Sequence, residues 1–148
     1  MAQAQRGFTL LELMIALGVA AIIATFAIPA YRTHVAKAHR VEAATALYRA
    51  AQFVETARVV QTAASTEAPS LPAGFDQAPA NGEAVYRLKL LAESSTNGGY
   101  AIEGAPLAPG PMQDDACGVF VIDATGARSN RTSAQLTPQQ AINCWSSR

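Results

Sequence analysis

The chain has 148 residues, 11 of them basic and 11 acidic, for a formal net charge of zero. That length makes one domain the prior, and the charge balance excludes a global electrostatic pull toward nucleic acid or an anionic surface. Hydrophobic residues make up 50% of the chain but are unevenly spread, with much of that content before Ala68. Met1 to Gly7 forms a short polar leader containing Arg6. An ordinary secretory signal carries its apolar region ahead of a small-residue cleavage site. Here the apolar region follows Gly7, so a cut at that glycine keeps it.

From Phe8 to Ala30 the chain is predominantly apolar. As a helix this stretch spans about 35 Å, enough for a hydrocarbon core of about 30 Å with some tilt. Glu12 lies one turn inside it. An acid at the centre of a membrane helix costs about 2.5–3.5 kcal/mol, and less near the end, so Glu12 calls for a partner. Phe8 is four residues earlier on the same helix face, and a freshly cut amine there would supply a positive charge. The helix N-terminus also favours a negative side chain. Gly18 is weak in a helix interior, and Pro29 removes the hydrogen bond to the carbonyl of Thr25. The stretch between them is expected to bend or melt locally.

The run Gly7-Phe8-Thr9-Leu10-Leu11-Glu12-Leu13 resembles the type IV prepilin signature. Pro29 and Tyr31 also fall where pilins commonly carry them. The resemblance implies cleavage after Gly7 by a prepilin peptidase, N-methylation of Phe8, and pairing of Glu12 with the terminal amine of a neighbouring subunit during assembly. Arg6 agrees with the positive-inside rule, which places the leader in the cytoplasm and the head outside. The expected segments are a leader over 1–7, a transmembrane and assembly helix over 8–30, and a periplasmic or extracellular head over 31–148.

From Tyr31 to about Gln61 no Pro or Gly occurs, and good helix formers dominate. Val41, Ala44, Leu47, Tyr48, Ala51 and Val54 recur at three-and-four spacing, one stripe of a helix. The simplest reading is a single helical spine from Phe8 to about Gln61, roughly 80 Å long. Its first half faces lipid or sister subunits, and the stripe of its second half packs on the head. His34 and His39 do not share a helix face and have no third ligand, so they read as solvated. Thr62 to Glu83, rich in Pro, Gly and Ser, reads as a long connection docked by Leu71 and Phe75, with Glu67 and Asp76 as solvated charges.

Strands follow. Ala84–Ala92 and Gly99–Ala105 flank Asn97-Gly98-Gly99, a turn signal for an antiparallel hairpin. Gly118–Ala124 is apolar enough to be central, and Ala127–Asn130 forms a short fourth strand after Thr125-Gly126. The tail from Arg131 is expected to be mostly irregular. One helix stripe over three or four antiparallel strands is an α+β layout.

Cys117 and Cys144 form one well-separated pair behind a membrane segment, which reads as a disulfide of an oxidising compartment; two unrelated reduced thiols are the alternative. Such a bridge would stabilise by about 3–4 kcal/mol in the chain-entropy model. The pattern from Asp115-Ala116-Cys117-Gly118 through Gly126-Ala127-Arg128 to Asn143-Cys144-Trp145 resembles type IVa minor pilins of the PilE kind, and ComP-like DNA-uptake pilins share the layout. This implies a pilin fold: a long spine on an antiparallel sheet with a disulfide-closed C-terminal region.

No enzyme chemistry is legible. Asp114-Asp115 in a Pro-rich loop reads as a solvated turn, and no spaced oxygen series suits calcium. Histidines and serines form no readable triad, and no cofactor is expected. Arg128, Arg131 and Arg148, with Trp145, are the candidate DNA contacts: arginines for phosphates, the indole for a base. Their bland alternative is a solubilising surface with Trp145 against the disulfide. The reading is a structural subunit, a minor pilin of a type IV pilus, serving biogenesis, twitching motility, adhesion or DNA uptake. Its rivals are a DNA-receptor pilin for natural transformation, a pseudopilin of a type II secretion system, and a plain anchored periplasmic protein that keeps Met1 to Gly7. The implied partners are other pilins, the prepilin peptidase and the inner-membrane assembly platform. The chain would sit in the inner membrane before assembly and in the extracellular pilus afterwards.

Overall fold

A computed structural model describes residues 7–61, 70–94 and 96–146. The leader before Gly7, the start of the long connection (62–69) and Arg148 lie outside the described residues. The chain divides into two compact units, one ending at Val35 and the other starting at Ala36.

Helix α1 runs from Leu10 to Gln61. Thr9 starts it. Its Oγ1 accepts from the Glu12 amide at 3.3 Å and its carbonyl accepts from the Leu13 amide at 3.2 Å. Thr9-x-x-Glu12 is thus the forward half of a capping box, which places the Glu12 carboxylate in the first turn, where the helix dipole favours it. Leu11, Ile15, Ile22 and Phe26 are exposed within this unit, an apolar surface suited to lipid or to sister helices. α1 contains one window long and apolar enough to cross a membrane. It stays helical through Gly18 and Pro29. Thr25 and Thr33 donate their hydroxyls back to the carbonyls of Ala21 and Pro29.

In the second unit α1 presents Ala43, Ala46, Leu47, Ala50 and Val54 to the core, each 5% exposed or less. The buried stripe is rotated from the expected one: Val41 and Tyr48 stay exposed, at 36% and 46%. The reason is side-chain size. Three alanines let the sheet approach closely, and at Gly104 an added Cβ would stand 3.5 Å from Leu47 Cδ1. Leu47 and Val54 fill the core between those alanines, while Val41 and the bulkier Tyr48 lie at the edge of the face.

The sheet is an antiparallel meander in the order β1-β2-β3-β4-β5, formed by Gln77–Ala78, Tyr86–Leu91, Ala101–Pro106, Val119–Asp123 and Arg128–Arg131. Five strands replace the three or four expected. β1 is only two residues long and lies inside the connection read as irregular, where no periodicity can show. Register places Leu88 opposite Gly104, Ile102 opposite Ile122 and Gly104 opposite Phe120. Those residues, with Tyr86, face α1 and form the core with its buried stripe. The expected β2–β3 hairpin is present. Asn97 Oδ1 accepts from the amides of Ser94 and Gly99, and Gly98 and Gly99 have φ of 68° and 120°. The connection docks through Leu71 and Phe75 as expected. Phe75 packs on Phe53 at 5.0 Å, and the Arg49 guanidinium lies 5.3 Å from its ring centre. Asp76 is not merely solvated: it pairs with Arg87 at 3.0 Å.

Two further expectations are corrected. The tail is not irregular throughout, because Pro138–Trp145 forms helix α2. Thr137 Oγ1 accepts from the Gln140 amide at 3.3 Å, Gln140 Oε1 accepts from the Thr137 amide at 2.8 Å, and Pro138 occupies the first turn. This is a complete capping box with a proline that has no amide to lose. Asp115, in turn, is no solvated turn residue. Its side chain is 7% exposed and takes the Arg40 guanidinium, with Nε 3.1 Å from both carboxylate oxygens. A carboxylate withdrawn from water needs such a partner. Burial, with the Asp115 charge nearby, pushes the Tyr86 phenol well above its usual range.

Candidate nucleic-acid interface

The expected arginine patch is split by the pleat. Side chains alternate along a strand, so residues three apart point to opposite faces. Arg128 stands opposite Ile122, on the face toward α1, whereas Arg131 stands opposite Val119 on the other face. The structure therefore does not bring Arg128 and Arg131 together, and Arg148 lies outside the described residues. Arg131 is neutralised by an ion pair with Glu103, whose side chain is 19% exposed.

Arg128 has a different setting. Its guanidinium lies 5.9 Å from the Trp145 ring centre, and its Nη1 donates to Tyr48 Oη at 3.3 Å. The rings of Tyr48 and Trp145 meet edge-on at 6.4 Å. Three elements converge here: α1 supplies Tyr48, edge strand β5 supplies Arg128, and α2 supplies Trp145. Neither aromatic group quenches the positive charge, and Arg128 remains exposed. A guanidinium with spare N–H donors, steadied on an aromatic face, suits a phosphate oxygen. Stacking of a base on Trp145 is a poorer fit than expected. Arg128 lies over the indole, Phe120 meets it edge-on at 5.1 Å, and its Nε1–H donates to Asn130 Oδ1 at 2.7 Å.

α2 is fastened under this surface by the disulfide between Cys117 and Cys144, both buried. The bland alternative that put Trp145 against the disulfide understates its place, since the indole also joins Tyr48, Phe120, Arg128 and Asn130. Beside it, the β4–β5 turn is closed by Asp123, whose Oδ1 accepts from the Thr125 hydroxyl and from the amides of Thr125 and Ala127. The Thr125 hydroxyl, with those amides, holds the Asp123 carboxyl below its ordinary value. This carboxylate is engaged in its own turn.

The remaining site residues belong to the N-terminal unit. Gly7 precedes α1, Phe8 is 83% exposed, and Glu12 sits in the first helical turn. Sequence reading missed Tyr48, which it assigned to the core stripe, and also Asn130, Glu103 and Arg40. The i, i+3/i+4 spacing of Tyr48 with the buried stripe cannot separate the centre of a face from its edge.

An apolar N-terminal helix and an antiparallel sheet with a disulfide-closed C-terminal region define a type IV pilin subunit. Residues 3–28 match the prokaryotic N-terminal methylation motif. Residues 29–121 match the family described as type IV minor pilin ComP, DNA uptake sequence receptor, and the chain belongs to that family. Tyr48 and Glu103 fall inside the matched segment, whereas Arg128, Asn130, Arg131 and Trp145 lie beyond it.

Proposed function

We propose that this chain is a DNA-receptor subunit of a type IV pilus, cut after Gly7, N-methylated at Phe8 and assembled through its N-terminal helix. The observation that carries the reading is the Arg128–Tyr48–Trp145 cluster: an exposed guanidinium, unpaired by acid among the described residues, on a chain of this family. With zero net charge, binding depends on local placement of cations rather than on a global field. The family match favours a pilus over a secretion-system pseudopilin. Twitching motility and adhesion would belong to the filament as a whole.

The full chain, purified in detergent with its disulfide intact, is expected to shift a short duplex at low ionic strength. Arg128→Gln should weaken the complex about tenfold or more, the value of one charge-assisted contact, and lower the salt slope by about one. No salt-sensitive shift would sink the receptor reading.

In assembly, Glu12 meets the methylated amine of a neighbouring subunit, so that one proteolytic cut creates the partner for a carboxylate held in lipid. Glu12→Ala is expected to abolish filament incorporation while the chain still accumulates in the membrane, as read by immunoblots of sheared filaments and membranes. Unchanged incorporation would remove that role from Glu12.

A further inference from the structure

The Arg128 surface depends on a residue that touches no candidate ligand. Asn130 lies two residues along β5 from Arg128 on the same face, opposite Phe120. Its Oδ1 accepts from Trp145 Nε1 at 2.7 Å, and its Nδ2 donates to the Cys117 carbonyl at 2.9 Å. The indole N–H can only donate and the carbonyl can only accept. A residue bridging the two must therefore offer one acceptor and one donor in fixed geometry. A primary amide does this. A carboxylate at the same place lacks the donor, and an apolar residue lacks both.

Asn130 thus ties three separate pieces of chain together: the edge strand, the turn carrying Cys117, and α2 carrying Trp145. The disulfide already joins the second and third through Cys144. A disulfide fixes where α2 attaches but not the angle of the ring one residue further on. The Asn130 hydrogen bond, together with the edge-on packing of Phe120 and Tyr48, constrains that angle, and the Trp145 ring in turn is the surface on which Arg128 rests.

We propose that Asn130 is the positioning residue of this interface, setting the indole plane that aims Arg128 at a nucleic-acid phosphate. The proposal rests on the DNA-receptor reading for its functional half. Its structural half, the hold on Trp145, stands independently.

The chain has one tryptophan, so indole fluorescence reports Trp145 alone. The full chain in detergent micelles is compared with Asn130→Ala, Arg128→Gln and their double variant, using a short fluorescent duplex of mixed sequence at two salt concentrations. Asn130→Ala is expected to red-shift the indole emission and weaken DNA binding by about tenfold, the lower end for losing one charge-assisted contact. The double variant should bind no more weakly than Arg128→Gln alone, since both changes disable one group. A purely structural role for Asn130 would instead make the two losses multiply, and that result overturns the proposal, as does an unchanged emission. Should Asn130→Ala fail to fold, Trp145→Phe removes the same hydrogen bond from its other end while keeping a ring beneath Arg128. It should reproduce the loss of DNA binding, and full binding by that variant overturns the proposal. If the unmodified chain shows no DNA shift, the receptor reading and the functional half fall together. A red-shifted Asn130→Ala emission in that case supports the hold on Trp145.

Discussion

Phe120→Ala is expected to lower the unfolding free energy of the head by about 3–5 kcal/mol, the range for truncating a buried phenylalanine. Phe120 is fully buried on interior strand β4, with the Tyr86 ring edge-on at 5.9 Å and the Trp145 ring edge-on at 5.1 Å. Its removal leaves a cavity under the sheet and takes away the wall against which the indole packs. Both losses act on the same unit, so the effect should reach α2 as well as the core. Denaturant unfolding of the full chain in detergent, followed by tryptophan emission, measures it. Val119→Ala, one residue earlier on the opposite face of β4, should cost about 1 kcal/mol. Equal losses for the two would mean that the pleat is wrongly assigned.

Replacing both cysteines by serine should cost about 3–4 kcal/mol, the loop-closure value for a bridge of this span. The expected defect is uneven. The meander has its own ladder hydrogen bonds and its own core. α2 has eight residues, too few to persist without tertiary support. Hydrogen exchange should therefore show α2 and the Thr137–Gln140 cap losing protection first, while β2, β3 and β4 remain protected. Uniform loss across the sheet would show that the bridge supports the whole core rather than the tail.

How much of this was legible depends on how local each signal is. The N-terminal motif is a run of adjacent residues, and Thr9 and Glu12 stand one helical turn apart, so reading it needs no tertiary knowledge. β2, β3 and β4 were legible because apolar residues and the Asn97-Gly98-Gly99 turn mark them directly. α2 also had a local signal, Thr137-Pro138-x-Gln140, but its polar composition hid the helix behind the expectation of a loose tail. β1 had none, since two residues cannot show a period; only pairing with β2 defines it. The interface was half legible. Arg128 and Trp145 were singled out, but grouping Arg128 with Arg131 overlooked strand alternation, which sends side chains three apart to opposite faces. Tyr48, Asn130 and the Arg40–Asp115 pair depend on contacts far apart in sequence, which no spacing rule within one element reveals.

The strand order carries a kinetic consequence. Every strand of the meander lies beside the one made just before it, and the stripe of α1 that they cover is made before all of them. Each new segment thus meets a surface already waiting for it, with little loop entropy to overcome. The head can be built from its N-terminal end forward, one hairpin at a time. Cys144 and Trp145 follow the whole meander in the chain, so the surface bearing Arg128 is completed only after the sheet, and a subunit truncated before α2 would carry a sheet but not that surface.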